Sequence, residues 1–450
     1  MDTLTQLKQG QLKGRKELHL NAGLTEFPQE ILTLADSLEL LDLSNNHLQV
    51  LPDSFSQLKN LKAVFLNNNA FTCFPNVLAS CPSLQIIGFK NNQISTIGER
   101  AFPPTLRWLI LTNNLLRSLP DSIGQLSKLQ KLMLAGNKLQ ILPQSLSNCH
   151  NLQLIRLAAN QLTELPTWLF TLPKLSWLAY SGNRFHQTPR AASDIAEPVP
   201  LPIINRSELD TREVLGEGAS GVICKGKWMP KTSSVSLVQP QTVAIKQFKG
   251  DMTSDGSPMD EMQACIAAGR HPNLVNVLGK YVAEDESEKQ VGLVFSFIPS
   301  DYCNLGNPPS LETCTRDTYG EGTRFSAFRI VQICKGIASV MEHLHRRGIN
   351  HGDLYAHNIL VNPVGHSILG DFGAASFYDR THIAQAAAIE RLEVRAFGCL
   401  LEDLLNRAEL EDISEKKIIE KLLSLQKDCQ QTIPLERPLF EQICQRLCVL

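Results

Sequence analysis

Leucines recur at a fixed spacing in the first part of the chain. The spacing L-x-x-L-x-L-x-x-N-x-L is first met cleanly at Leu38, Leu41, Leu43, Asn46 and Leu48. It repeats every 23 residues, apart from one step of 22, and each copy carries an asparagine at the same position: Asn46, Asn69, Asn92, Asn114, Asn137, Asn160 and Asn183. Because alternate side chains of a strand face opposite sides, the spacing predicts one short strand per repeat with its leucines in the core. The asparagine would satisfy backbone groups where the chain leaves the strand.

The second half of several repeats carries a proline followed by a short polar residue. Examples lie at residues 51–55, 119–123 and 142–146, which read LPDSF, LPDSI and LPQSL. Proline is favoured in the first turn of a helix, and short polar residues are favoured at its start. Each of these stretches therefore predicts a brief helical turn that leads from one strand to the next.

The strand residues that point away from this core are mostly apolar, and we call the surface that they form the concave face. Its residues are Leu40, Phe65, Ile86, Trp108, Ile110, Met133, Leu154 and Trp177. A contiguous apolar surface is typical of a contact site, so the pattern predicts that this face binds a protein substrate or regulator, or the rest of the same chain. Tighter packing of a narrow solenoid is the alternative interpretation.

The repeated spacing resembles the leucine-rich repeat, with about eight units over residues 12–190. The resemblance implies an α/β solenoid. Residues 191–207 are predicted to be a linker, because the stretch from Pro189 to Pro202 combines four prolines with small and polar residues. From residue 208 to residue 450 the pattern changes to Val/Ile-rich alternation and then to longer helical periodicity, which predicts a second, α+β domain.

Charge and composition exclude several kinds of protein. The 43 Lys and Arg residues nearly balance the 45 Asp and Glu residues, so no long-range field attracts nucleic acid or an anionic membrane, and we expect neither as a partner. No stretch approaches the roughly 18 apolar residues that span a bilayer, and the N-terminus lacks a secretory apolar core. The 12 cysteines are scattered without a Cys-x-x-Cys pair, as is typical of reduced thiols. These features predict a soluble, cytoplasmic protein.

A glycine-rich loop opens the second half of the chain. Residues 215–222 read LGEGASGV, which alone is a weak signal shared with dinucleotide sites and ordinary turns. Further motifs follow in order: Val243-Ala244-Ile245-Lys246, Glu261 ahead of His271-Pro272-Asn273, His351-Gly352-Asp353-Leu354 with Asn358, and Asp371-Phe372-Gly373. In this order and at about this spacing the motifs resemble those of the protein kinase family, from roughly Glu208 to the C-terminus.

The resemblance implies a two-lobed α+β protein kinase-like domain that uses ATP and Mg²⁺. In that family the loop glycines let the backbone approach the phosphates, Lys246 would hold the phosphates, and Glu261 would fix Lys246 through an ion pair. Asp353 would accept the substrate's hydroxyl proton, and Asn358 and Asp371 would bind the metal. Val222 and Ala244 would enclose the adenine. The implied nucleotide-binding residues are Leu215, Gly216, Glu217, Gly218, Ala219, Ser220, Gly221, Val222, Ile223, Ala244 and Lys246.

The pattern departs from the family at several positions. Gly352 replaces the usual Arg before the catalytic Asp, which makes activation by loop phosphorylation less expected. Tyr355 stands where Ser/Thr kinases usually place a Lys, and Glu393 stands where a helix normally offers an Asp to brace the catalytic loop. No Ala-Pro-Glu motif is present, although Glu390 is a candidate substitute, with Arg437 as its ion-pair partner.

Two segments of unusual length flank these motifs. The activation segment is short, because Phe397, which resembles the start of a buried helix, follows Asp371 by only 26 positions. An insertion rich in Gly, Pro and Thr, roughly Asp301 to Thr323, is expected to be a surface loop.

The sequence as a whole predicts a cytosolic, ATP- and Mg²⁺-dependent protein kinase that phosphorylates Ser/Thr hydroxyls. In this hypothesis the repeats bind substrates or partners, or regulate the enzyme. The alternative is a pseudokinase-type scaffold that binds nucleotide and assembles partners through the repeats. The departures at Gly352, Tyr355 and Glu393 favour the scaffold, whereas the presence of every chemistry-bearing motif residue favours the enzyme.

Overall fold

The structure is a computed structural model that describes residues 2–186, 201–218, 220–230, 240–250, 252–253, 255–282, 291–409 and 413–450. Within these ranges the chain divides into two compact units. The first consists of the described parts of Met1–Leu175, Asn183–Gln187 and Pro309–Thr315. The second consists of the described parts of Ser176–Gly182, Thr188–Pro308 and Arg316–Leu450.

The first unit begins with a helix α1 (Thr3–Lys8), capped by the Asp2 side chain, and continues as a parallel sheet of short strands. Its strands are β1 (Glu17–His19), β2 (Leu40–Asp42), β3 (Ala63–Phe65), β4 (Ile86–Gly88), β5 (Trp108–Ile110), β6 (Lys131–Met133) and β7 (Leu154–Arg156). Each strand pairs with the next in parallel, and residues at equivalent positions of successive repeats lie side by side. The predicted strand in each repeat is confirmed.

A ladder of asparagines holds successive repeats of the first unit together. The Asn46 Nδ2 atom donates to Leu20 O at 2.8 Å and to Leu43 O at 2.9 Å, and its Oδ1 atom accepts from Leu24 N at 2.9 Å. Equivalent bonds recur at the later ladder positions, for example from Asn137 Nδ2 to Leu111 O at 2.8 Å. These side chains therefore satisfy buried backbone groups, as the sequence predicted.

Short 3₁₀ helices connect the strands of the first unit, and a proline precedes each of them. They span Gln29–Leu34, Asp53–Gln57, Asn76–Ser80, Asp121–Gln125, Gln144–Asn148 and Thr167–Thr171. Proline fixes φ near −65° and lacks a backbone N–H, which suits the unbonded start of a helical turn. The predicted helical turns are confirmed.

The residue before each ladder asparagine has a positive φ, and glycine or asparagine occupies most of these positions. Ala159, with φ +51°, is the exception. A left-handed conformation costs an alanine about 1–2 kcal/mol, more than the 0.5–1 kcal/mol entropic cost of a glycine. We expect Ala159→Gly to raise the free energy of unfolding by about 0.5–1 kcal/mol, measured by urea denaturation. The neighbouring Ala158→Gly is the control and should lower it, so a gain of equal size in both variants would contradict this reasoning.

The second unit opens with β8 (Trp177–Ala179) and then forms a mixed sheet. The strands of that sheet are β9 (Ile203–Asn205), β10 (Leu209–Gly218), β11 (Gly221–Trp228), β12 (Gln241–Phe248), β13 (Val277–Val282) and β14 (Val291–Ser296). Their spatial order is β10-β11-β12-β14-β13-β9, antiparallel except for the parallel pairing of β9 with β13. Buried apolar side chains, among them Ile204, Val243 and Val294, form the core of this sheet.

The remainder of the second unit is mostly helical. Its helices are α2 (Pro258–Ala268), α3 (Ala327–Arg346), α4 (Ile383–Leu405), α5 (Ile413–Cys429) and α6 (Phe440–Cys448). Its short strands are β15 (Cys303–Asn304), β16 (Phe325–Ser326), β17 (Ile349–Asn350), β18 (Ile359–Val361), β19 (Ser367–Leu369), β20 (Ser376–Phe377) and β21 (Ala408–Glu409). Ser257 and Ser326 cap α2 and α3 with their side chains, which explains where these two helices begin.

The order of the elements confirms the predicted fold class, an α/β repeat solenoid followed by a two-lobed α+β domain. None of the helices in the described part of the chain combines the length and the apolar composition needed to cross a bilayer.

Candidate active site

An ion pair links the mixed sheet of the second unit to α2. Lys246 lies on β12 and Glu261 lies in the first turn of α2, and the Lys246 Nζ atom contacts Glu261 Oε1. The Glu261 side chain is only 2% exposed and that of Lys246 is 13% exposed. Burial raises the pKa of Glu261 against the opposing effect of Lys246, and the charge of Asp371 raises it further. Glu261 thus holds the Lys246 ammonium group in a buried position, and the charge of Asp371 acts on the same glutamate.

The second group of site residues lies on the loop between β17 and β18. The Asn358 Nδ2 atom donates to Asp353 Oδ2 at 2.8 Å and to Asp353 O at 3.0 Å. This amide fixes the orientation of the Asp353 carboxylate, which remains half-buried. A carboxylate held in this way is available as a hydrogen-bond acceptor for an incoming hydroxyl group.

The hairpin of β18 and β19 brings Asp371 to the same place. Ile359 pairs with Leu369, and Gly370 N donates to Asn358 O at 3.0 Å, so the residues that follow β19 lie beside Asn358. Asp371 has a φ of +53° and an exposed side chain whose Oδ1 atom accepts from Gly373 N at 3.0 Å. The next residue, Phe372, is buried against the ring of His351. One carboxylate and one amide at this position are oxygen donors that fit Mg²⁺.

The glycine-rich loop forms the tip of the β10–β11 hairpin. Gly218 pairs with Gly221 across the turn, and Ala219 lies outside the described residues. A Cβ atom at Gly216 or Gly218 would meet nothing within 4 Å, which leaves room for close approach of a ligand. At Gly221 a Cβ atom would lie 2.2 Å from Gln247 O, so this glycine is required by the neighbouring strand itself. The remaining loop positions of the prediction, Leu215, Glu217 and Ser220, lie on the same hairpin, with Leu215 exposed.

The register between β11 and β12 decides which side chains share a face with Lys246. Ile223 pairs with Lys246, and Lys225 pairs with Ala244, so these side chains are on one face of the sheet. Val222 pairs with Gln247 and points to the other face. The register therefore places Ile223, rather than Val222, beside Ala244, which corrects the expectation that Val222 and Ala244 together enclose an adenine. The physical reason is that a shift of one residue along a strand reverses the face.

Glu393, on α4, accepts hydrogen bonds from the backbone of the loop that carries Asp353. Its Oε1 atom accepts from Gly352 N at 2.8 Å, and its Oε2 atom accepts from His351 N at 3.1 Å. The Oε2 atom also lies 2.8 Å from His345 Nε2, and the Glu393 side chain is 1% exposed. Glu393, which the sequence analysis counts as a departure from the family pattern, therefore reaches the backbone N–H groups of both His351 and Gly352.

Gly352 adopts a conformation that suits glycine. Its φ is +74°, and a Cβ atom at this position would lie 2.6 Å from Ala374 O and 2.8 Å from Leu178 O. Both contacts are with backbone atoms, which cannot move aside as the end of a flexible side chain can. The arginine that usually stands here in the family that the motifs resemble would clash with these two carbonyl oxygens.

Asp317 supports the site but was missed by sequence reasoning. It accepts from Ala356 N at 2.5 Å and hydrogen bonds to His357 Nδ1 at 2.7 Å, and it is 8% exposed. Burial alone would lower the pKa of His357, but its bond to the Asp317 carboxylate raises it above the usual value. The insertion around Asp301 to Thr323 is thus only in part the surface loop that we expected, since Asp317 is buried. No local motif marks this aspartate, because its partners lie about 40 positions away.

The short activation segment leads directly into α4, which begins at Ile383. Glu390 and Glu393 both lie on this helix, so the proposed substitute for Ala-Pro-Glu is part of a continuous helix rather than of a separate turn. Glu390 accepts from the hydroxyl of Tyr378 at 2.9 Å. Arg437 is buried and donates to Gln431 O at 2.9 Å and to Arg391 O at 3.1 Å.

Known families match both units of the chain. Residues 209–397 match the family model described as protein tyrosine and serine/threonine kinase. Residues 104–162 match the leucine-rich repeat model, and residues 3–105 match the model of a BspA-type leucine-rich repeat region.

Individual relatives include kinases of both substrate classes. Fibroblast growth factor receptor 1 of Pleurodeles waltl is 23% identical over 54% of this chain and 34% of its own length. A probable serine/threonine-protein kinase of Dictyostelium discoideum is 25% identical over 54% of this chain and 16% of its own length. The receptor tyrosine-protein kinase erbB-4 of Homo sapiens is 30% identical over 39% of this chain and 12% of its own length. The chain therefore spans about a third or less of the length of these relatives.

Proposed function

The chain carries N-terminal leucine-rich repeats followed by a protein kinase domain, and from this we propose that it transfers the γ-phosphate of ATP to serine and threonine hydroxyls of proteins. The observation that carries the proposal is the convergence of the Lys246–Glu261 ion pair, Asp371 and the Asp353–Asn358 pair in one unit. In phosphoryl transfer the protein mainly positions the reactants and neutralises charge, and these groups are suited to both tasks.

Each residue of the site has a distinct task in this proposal. Lys246 holds the nucleotide phosphates, and Glu261 keeps the lysine side chain in place. Asp353 accepts the proton of the substrate hydroxyl and aligns the oxygen for attack on the γ-phosphorus. Asn358 orients Asp353 through the 2.8 Å hydrogen bond. Asn358 and Asp371 would hold Mg²⁺, which neutralises phosphate charge when it is bound.

The nucleotide site is proposed to lie beneath the β10–β11 hairpin, on the face of the sheet that carries Ala244, Lys246 and Ile223. Support comes from the register of β11 and β12 and from the open space at Gly216 and Gly218. From the sequence we propose a repeat domain at residues 12–190, a linker at 191–207 and a kinase domain at 208–450. By their contacts, Ser176–Gly182 and β9 (Ile203–Asn205) belong to the second unit as well. The buried free thiols, such as Cys149 and Cys334, support a cytoplasmic location.

We propose that the concave face serves as a binding site for a protein substrate or regulator. Four residues of this face are half-buried within the first unit: Leu40, Phe65, Trp108 and Ile110. The Lys131 Nζ atom lies 4.2 Å from the centre of the Trp108 ring. Ile86, Met133 and Leu154 are buried. The half-buried positions are therefore the ones that a partner would contact. Trp177, also assigned to this face, is 1% exposed and so contributes no accessible surface.

The scaffold alternative is favoured by one specific observation. Tyr355, which replaces the lysine of serine/threonine kinases, is 5% exposed, and its ring is stacked on that of Trp177. Because position 355 is a tyrosine, the described loop lacks the lysine ammonium group that serine/threonine kinases usually place there. Such a domain would bind ATP without efficient transfer, and the repeats would supply its function.

A transfer assay separates these functions and the substrate classes. The full chain is incubated with γ-labelled ATP, Mg²⁺ and a mixture of proteins, and the labelled amino acids are identified after hydrolysis. We expect phosphoserine and phosphothreonine. Phosphotyrosine alone would overturn the proposed substrate class, and ATP binding without any label would favour the scaffold.

A further inference from the structure

The segment Ser176–Gly182, which includes β8, belongs by its contacts to the second unit rather than to the unit that contains the preceding repeats. We call it the repeat-end segment. It is remote in sequence from the loop that carries Asp353, since the Trp177–Leu354 bond joins residues 177 positions apart. Within the second unit, however, the two are in direct contact.

The repeat-end segment contacts the backbone around Asp353, which we call the catalytic loop (residues 349–358), at three places. Trp177 Nε1 donates to Leu354 O at 3.0 Å, on the residue directly after Asp353. The rings of Trp177 and Tyr355 are stacked, with centroids 4.3 Å apart and planes inclined by 8°. Asn350 Nδ2 donates to Leu178 O at 2.7 Å, ahead of Asp353. Contacts on both sides of Asp353 restrict the backbone that carries it.

The same segment also contacts the elements that surround the loop. Tyr180 N donates to Ser376 Oγ at 2.9 Å, on β20 of the activation segment. Arg395 Nη1, on α4, donates to Ser176 Oγ at 2.8 Å. Ser181 hydrogen bonds to the carboxylate of Asp260, the neighbour of Glu261 on α2. The repeat-end segment therefore contacts the loop that carries Asp353, the activation segment, and the helices α2 and α4.

We propose that the repeat-end segment is a positioning element for phosphoryl transfer, with Trp177 as its principal positioning residue. The inference rests on the proposed kinase function, which it deepens. Glu393 accepts hydrogen bonds from the backbone of His351 and Gly352, which precede Asp353, and Trp177 contacts Leu354 and Tyr355, which follow it. Asp353 therefore lies between two anchored stretches of backbone. The activation segment, which passes into α4 at Ile383, adds a contact ahead of Asp353 through the pairing of β20 with β17.

The position of Trp177 predicts which kinetic constant it controls. Its contacts are with the loop of Asp353, and the nucleotide is assigned to Lys246 and the face of β12. Loss of the indole should therefore disturb the alignment of the hydroxyl group and leave ATP binding intact. A misplacement of about 1 Å at a reacting group costs on the order of 10²-fold in rate.

The kinetic test uses the full chain with Trp177→Ala, Trp177→Phe and, as a matched control, Trp168→Ala on the 3₁₀ helix Thr167–Thr171 of the first unit. For Trp177→Ala we expect kcat to fall by about 10–100-fold while KM for ATP changes less than about twofold. Trp177→Phe keeps a stacking ring but not the donor, and should recover part of kcat. Trp168→Ala should match the wild type. An unchanged kcat in Trp177→Ala, or a parallel loss of ATP binding and of kcat, would overturn the proposal.

A second measurement does not depend on catalysis. Hydrogen–deuterium exchange of residues 349–358 should become faster in Trp177→Ala and stay at the wild-type rate in Trp168→Ala. Unchanged exchange in Trp177→Ala would overturn the inference whatever the activity. Faster exchange combined with an inactive wild type would support the anchoring of the loop and would refute the kinase function alone.

Discussion

Replacing Asp353 by asparagine should lower the rate of phosphate transfer by about 10²–10⁴-fold, because the variant loses the general base of the proposed reaction. An asparagine side chain has nearly the same shape, and its Oδ1 atom still accepts the hydrogen bond from Asn358 that the carboxylate accepts at 2.8 Å. The change therefore removes the proton acceptor without removing the packing of the loop. The measurement is the initial rate of label transfer from γ-labelled ATP at saturating nucleotide.

Two controls show whether a loss at Asp353 is chemical. The affinity for an ATP analogue should be unchanged, since the nucleotide is assigned to Lys246 and the β10–β11 hairpin. Asp301→Asn, at an exposed aspartate of the same unit, should be as active as the wild type. A variant Asp353→Asn that keeps more than about a tenth of the activity would contradict the role given to Asp353.

The second large effect is expected at Glu393. Its carboxylate accepts hydrogen bonds from the backbone of His351 and Gly352 and from His345, all in a buried environment. In Glu393→Ala these donors lose their partner, and an unsatisfied buried polar group costs about 1–3 kcal/mol. We expect the free energy of unfolding to fall by about 3 kcal/mol or more, measured by urea denaturation followed by circular dichroism.

Glu393→Gln is the matched comparison for that prediction. The amide keeps one oxygen acceptor of nearly the same reach, so the loss should be smaller than in Glu393→Ala. A decrease below about 1 kcal/mol in Glu393→Ala would mean that the loop is held by its other contacts instead.

The repeats of the first unit were the most predictable part of the fold. The leucine spacing determines which side chains enter the core, and the asparagine at a fixed position determines which backbone groups are bonded between repeats. Both signals are local and recur with the same period, so each copy supports the interpretation of the others.

The candidate site was predictable as a set of residues but not in all of its geometry. The order of the motifs predicts Lys246, Asp353 and Asp371 as site residues, and all three lie in the second unit. The side of the sheet on which Val222 and Ile223 lie depends on the register of the β10–β11 hairpin and its neighbour. A difference of one residue reverses the side, and the sequence does not specify the register to that accuracy.

Other supports of the site could not be read from the sequence at all. Asp317 and Trp177 contact the loop that carries Asp353 from distant positions in the sequence, and neither belongs to a local motif. Such contacts arise when separate segments pack in three dimensions, whereas periodicity and spacing report only on neighbours along the chain. The glycine at Gly352 carried a partial signal, since it stands out against the motif around it. Its cause, the close approach of Ala374 O and Leu178 O, is visible only in the structure.

The most direct measurement is the rate of γ-phosphate transfer from labelled ATP by the full chain with Mg²⁺, with Lys246→Met assayed in parallel. The buried ion pair of Lys246 with Glu261 predicts label in protein for the wild type and a loss of that label in the variant. Label of equal intensity in both samples, or a wild type that binds ATP and transfers nothing, would contradict the assignment of a catalytic kinase domain.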